Sequence, residues 1–205
     1  MQDPSHMQNE QAALLEQRGN YALVFISVAY GLVLSPYTSA WTHLFSLSKL
    51  KFWLAPPVLV LVGFSLILLE VWWAMFDGLR KLGSSFVQFV LAIIEAVIFF
   101  AIGNFIDSIL GASERNRLDP YYTYLPYHAK LYSAIIILII LLAFSNFRAS
   151  WATHGMRAIG IFLAALPIFS SSVTVHYLAA VALLVLCFTF TVLVVCGRFR
   201  TRNMA

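Results

Sequence analysis

The sequence predicts an all-α integral membrane protein: a polytopic bundle of about six transmembrane helices, five being the alternative count, with no soluble domain. Three observations predict it. Hydrophobic residues make up 61% of the chain and charged residues 11%, whereas a soluble domain carries about 25% charged residues. Mean hydropathy reaches +0.84. The apolar residues also come in blocks, several as long as the roughly 20 residues one bilayer crossing requires, so a chain of 205 residues has room for about six crossings and little else.

Residues 1–7 (Met1-Gln-Asp-Pro-Ser-His-Met7) have the look of an expression scar, and a single helical membrane domain is expected over 8–205. Residues 8–20 are polar rather than a basic stub before an apolar core, so the first span is expected to be its own insertion signal. That span is expected at 21–37, ended by Ser35-Pro36-Tyr37-Thr38-Ser39, with 41–47 interfacial or re-entrant. The second, 52–76, opens on Pro56-Pro57, where a missing amide donor costs nothing because first-turn donors have no helical partner, and closes at Asp77-Gly78. Gly83-Ser84-Ser85 then caps the third, 86–106, across a link short enough to demand an antiparallel hairpin. A polar, aromatic loop is expected over 107–130, where Tyr121, Tyr122, Tyr124 and Tyr127 gather around Pro120 and Pro126 and suit the headgroup belt. The last three spans are expected at 131–147, 158–172 and 177–196, the fifth being short and broken by Pro167.

Orientation follows from the basic residues. In the six-span arrangement one side holds Arg18, Arg80, Lys81, Arg148, Arg157, Arg198, Arg200 and Arg202; the other holds Lys49, Lys51, Arg115, Arg117 and Lys130. The excess places both termini in the cytoplasm, in a plasma or inner membrane. Arg198, Arg200 and Arg202, just past the last span, are expected to meet anionic lipid headgroups. Cys187 and Cys196 stand nine residues apart, about 13 Å along a helix, too far for a disulfide. Both are expected to be packing residues, with palmitoylation of Cys196 as the weaker alternative.

Chemistry is expected where charge enters the apolar blocks. Glu70 is the sole charge in 52–76 and Glu95 the sole charge in 86–106, and a carboxylate at mid-membrane costs about 2.5–3.5 kcal/mol or more. Counting along an antiparallel hairpin, Glu70 lies about 10 Å before Asp77 and Glu95 about 15 Å after Ser85, which puts the two acids at similar depth. No lysine or arginine is expected mid-span to neutralise them, so they are expected to share a proton or a cation. Asp107, with Asn104 and Ser108 beside it, is expected either to play a plain helix-terminus, snorkelling role or to form an outer vestibule that concentrates cations.

His43, Asp107, Glu114, Asp119, His128 and His176 all fall on the outer side of the six-span arrangement. His43, His128, His176 and Asp119 are therefore candidates for a pH-sensing or metal site, although none has the spacing of HExxH. The chain has no phosphate loop, no CxxC, no mid-span histidine pair for haem, no mid-span lysine for retinal and no TVGYG filter. No cofactor and no nucleic acid partner are expected, the net charge of +4 being spread over short segments. The favoured function is a channel or transporter for protons or small cations, working as a homo-oligomer with Glu70, Glu95 and Asp107 on its path. The alternatives are a non-catalytic membrane scaffold or regulatory subunit, with the acids as helix glue, and, more weakly, a membrane-embedded lipid-modifying enzyme.

Overall fold

A computed structural model of the chain describes residues 4–47, 50–82, 86–145 and 151–202. The described residues form seven α-helices and no strand: α1 Pro4–Ser46, α2 Pro56–Leu82, α3 Phe86–Asn116, α4 Pro120–Tyr124, α5 His128–Ser145, α6 Trp151–Phe169 and α7 Val173–Arg202, with a 3-10 turn at Leu50–Leu54 before α2. Four stretches are long and apolar enough to cross a membrane: Val24–Ser46, Pro56–Trp73, Phe89–Asn116 and Val173–Val194. Shorter apolar stretches lie on α5 and α6. This architecture is consistent with an all-α membrane protein. The residues 83–85 and Asn146 to Ser150, which contain an expected cap and Arg148, lie outside the described residues, as does Lys49.

The helix ends depart from expectation in three places, each for a backbone reason. Pro36 does not end the first helix; α1 runs through it to Ser46. The ring deprives one carbonyl of its donor, yet the helix continues because breaking it would leave more backbone groups unpaired in an apolar medium. Hydroxyls add contacts over the following turns, Thr38 Oγ1 donating to the Leu34 carbonyl at 2.9 Å and Thr42 Oγ1 to the Thr38 carbonyl at 3.0 Å. Likewise α2 passes Asp77-Gly78 and reaches Leu82.

The largest difference is at 107–130, which is not a loop. Asp107 lies inside α3, which ends at Asn116. There Leu118 N donates to the Ser113 carbonyl and Arg117 N to the Glu114 carbonyl, with Arg117 at φ 53°. This is a Schellman ending, with the left-handed position held by an arginine rather than the usual glycine. Asp119 then caps α4, accepting from Tyr121 N at 3.0 Å, and Pro120 opens the helix. Pro56, as expected, opens α2.

The six long helices close into a ring of neighbours. In order around it, α1 packs on α3, α3 on α5, α5 on α6, α6 on α7, α7 on α2 and α2 on α1, while α2 also touches α3 across the interior. Side-chain pairs set the directions. Trp41 Nε1 donates to Ser65 Oγ at 3.2 Å and Phe45 stacks edge-on against Trp53, so α1 and α2 are antiparallel. Phe25 meets Phe89 with centroids 5.4 Å apart and His43 meets Gly111, so α1 and α3 are parallel.

On α7, Leu178, Val181, Val185, Phe188 and Val192 are exposed at helical spacing, the face a lipid-covered helix presents. Its opposite side buries Cys187, whose Sγ would stand 3.3 Å from a Cβ at Gly63. Cys187 is thus a packing residue. Cys196 is exposed and is not.

Candidate functional site

Lipid tails are as apolar as leucine, so membrane helices associate through close packing and polar contacts rather than by escaping water. The α1/α3 seam uses both. A Cβ at Gly103 would stand 2.7 Å from Cε2 of Tyr37 and 2.9 Å from Cγ of Pro36; one at Gly111 would stand 3.2 Å from Nε2 of His43. The missing side chains admit a tyrosine ring at one level and an imidazole two turns further on. Because the helices are parallel, successive levels of α1 meet successive levels of α3.

Titratable or polar groups recur along this seam among apolar ones. Glu95 is fully buried, at 0% exposure, within electrostatic reach of buried Tyr30 on α1 and of Arg157 on α6. Next comes Tyr37, whose buried hydroxyl has no hydrogen-bond partner. Then His43 places Nδ1 against Oε2 of Glu114 and Nε2 3.5 Å from Oδ1 of Asp107. Ser46, whose hydroxyl donates to the His43 carbonyl at 2.7 Å, stands close to Glu114. From Glu95 to Glu114 the seam rises about 28 Å, close to the roughly 30 Å of a hydrocarbon core.

Glu70 is buried on α2 at 8% exposure. Phe64 of α2 meets Phe99 of α3 at 6.4 Å between centroids. Measured from that contact toward the same end of the bundle, Glu70 is about 9 Å and Glu95 about 6 Å along their helices. The acids therefore share a level. Arg157, on the first turns of α6 rather than mid-span, comes within electrostatic range of Glu95.

The expected outer group of histidines and acids does gather at one end of the bundle, but as two clusters. His43, Asp107 and Glu114 form the first. The second surrounds His176, which is 1% exposed at the start of α7. Its Nε2 faces the Ser170 carbonyl at 2.8 Å and its Nδ1 the Tyr124 hydroxyl at 2.8 Å. A carbonyl can only accept, so the neutral ring carries its proton on Nε2 and Nδ1 accepts from Tyr124. Burial holds the Tyr124 phenol above its ordinary range, with Tyr132 adding to the effect, which keeps the donor protonated.

His128 packs at a tilt beside His176, 5.1 Å between centroids, its Nδ1 donating to the Leu125 carbonyl at 2.5 Å. Asp119 joins neither histidine; it caps α4. Among the described residues, no three His, Cys, Asp or Glu side chains converge as a metal site. Arg198, Arg200 and Arg202 close α7, and their side chains lie outside those described.

Tyr30, Tyr37, Ser46 and Arg157 are the site residues that sequence reasoning missed. Their signal lay in the eight-residue spacing of Gly103 and Gly111, with Asp107 between them, which marks the face of α3 that a neighbour approaches. Compared with known proteins, the chain matches no family model, no curated protein and no solved structure. The functional reading therefore stands on its own residues.

Proposed function

We propose that the protein is a channel or transporter for protons or small cations, with Glu70, Glu95 and Asp107 on its path and the α1/α3 seam as the route. The observation that carries this reading is Glu95, fully buried within a membrane-length helix, at the start of a file of groups able to exchange protons that ends at partly exposed His43 and Glu114. A buried carboxylate in a span is expensive and marks ion or proton pathways. In this reading all six long helices cross the bilayer, both termini are cytoplasmic in a plasma or inner membrane, and the protein works as a homo-oligomer.

The test is ion flux in proteoliposomes with pH-sensitive and potassium-sensitive readouts. Glu95→Gln and Glu70→Gln are each expected to lower flux by at least about tenfold, equivalent to about 1.4 kcal/mol on the barrier. Normal flux from both variants overturns the reading.

A second reading, a membrane scaffold or regulatory subunit, is favoured by the reach of Arg157 toward Glu95. An acid and a base from α3 and α6 that neutralise each other hold helices together without conducting. It predicts silent liposomes, and a Glu95→Gln protein with a lowered melting temperature.

A further inference from the structure

The His43 cluster is built for one proton more than the groups around His176. Both ring nitrogens of His43 face carboxylates, Nδ1 that of Glu114 and Nε2 that of Asp107. A carboxylate only accepts. The Glu114 contact is a hydrogen bond and the Asp107 contact an ion-pair distance without hydrogen-bond geometry, and both are attractive together only when the imidazole carries a proton on each nitrogen. When one proton leaves, a bare ring lone pair is turned toward an anionic oxygen, and an attraction becomes a repulsion. His176 faces the reverse set, one acceptor and one donor, and is satisfied as a neutral ring.

We infer that His43, Asp107 and Glu114 form a proton-binding site that latches the C-terminal ends of α1 and α3 together, and that its ligand is the proton gained or lost at this end of the seam. This rests on the reading of the seam as a pathway only for its role in transport; the latch itself stands on the geometry. The groups facing the imidazole from α3 are Asp107 and Glu114. From its own helix there is Ser46, and from the segment that leads into α2 and from α2 itself the described contacts of this stretch of α1 are Trp53 and Ser65, none of which titrates in the range concerned. His43 rests on Gly111, where a Cβ would stand 3.2 Å from its Nε2.

The sign of the pH effect follows. With both carboxylates ionised, the latch is closed while the imidazole holds its second proton and loosens as rising pH removes it. Strong acid, by protonating the carboxylates, also loosens it. The latch is therefore tightest in an intermediate window.

Nitroxides on Thr42→Cys and Ser108→Cys, both exposed positions of the two helices, report the seam directly in the full chain in nanodiscs, with Cys187→Ala and Cys196→Ala removing the native thiols. Dipolar broadening is expected to fall as pH is raised from about 6 to about 9. The response is expected to be lost in His43→Gln and in the conservative Glu114→Gln. Broadening that ignores pH in the otherwise unsubstituted protein, or a response that persists in His43→Gln, overturns the latch. Flux measured on the same labelled protein separates the two readings: a pH-responsive seam in silent liposomes keeps the latch and removes the pathway.

Discussion

His43 and His176 lie at the same end of the bundle, one on the α1/α3 seam, partly exposed between two carboxylates, the other sealed at the start of α7 between a tyrosine hydroxyl and a backbone carbonyl. The same side chain is thereby given two chemistries. An imidazole among acids gains by taking up a proton. One buried among neutral partners keeps its single proton, because charging it would lose an accepted hydrogen bond in a medium of low dielectric. Burial and partner type, rather than residue identity, set what each histidine can do with a proton.

The sharpest way to break this contrast is to remove each ring. His176→Ala strands the Tyr124 hydroxyl and the Ser170 carbonyl in a buried site, and a loss of about 2 to 4 kcal/mol is expected, read as a lower melting temperature in detergent. His43→Ala, at a partly exposed ion pair, is expected to lower melting far less. Equal losses would erase the distinction.

The two seam glycines sharpen it further. Gly103→Ala drives a methyl into the Tyr37 ring and Pro36, overpacking of the kind that costs about 1 to 3 kcal/mol, and is expected to lower the melting temperature. Gly111→Ala meets only the edge of His43 at 3.2 Å. It is expected to displace the imidazole and abolish the pH response of the spin-labelled seam with a smaller loss of stability than Gly103→Ala.

The smallest effect is expected at high pH. The Tyr124 phenol is raised by burial, so the stability it lends is fully present below the unfolded value of about 10 and is lost as pH rises beyond it. Melting followed between about pH 9 and about pH 11 is expected to show a decline that Tyr124→Phe makes shallower. An unchanged slope in that variant would place the alkaline response on another group.

Much of the fold was legible in the residues because lipid imposes a strict rule. Long apolar runs must be helical, and Pro56 opens one of them for the reason its missing donor suggests. Glu70 and Glu95 were legible as buried acids for the same reason. Helix ends were harder. Pro36 looks like a terminator on local grounds, yet the helix survives it because unpaired backbone is dearer in an apolar medium than one missing hydrogen bond. The segment after Ile106 looks like a loop by polarity, yet α3 continues to Asn116, its polar residues facing His43 and the other partners of that end.

The sequence by itself determined that the chain is helical and apolar, where its acids fall within the apolar runs, and that His43, His128, His176 and the outer acids belong to one end. Those properties follow from composition and from a fixed rise per residue, which are local. Only the tertiary structure decided that α1 and α3 run side by side in parallel, that Arg157 comes within electrostatic range of Glu95, and that one group of histidines and acids divides into a cluster lined by carboxylates and one lined by neutral partners. Helix rotation and neighbour order are set by packing between segments distant in sequence, so which polar groups meet is a property of the whole bundle.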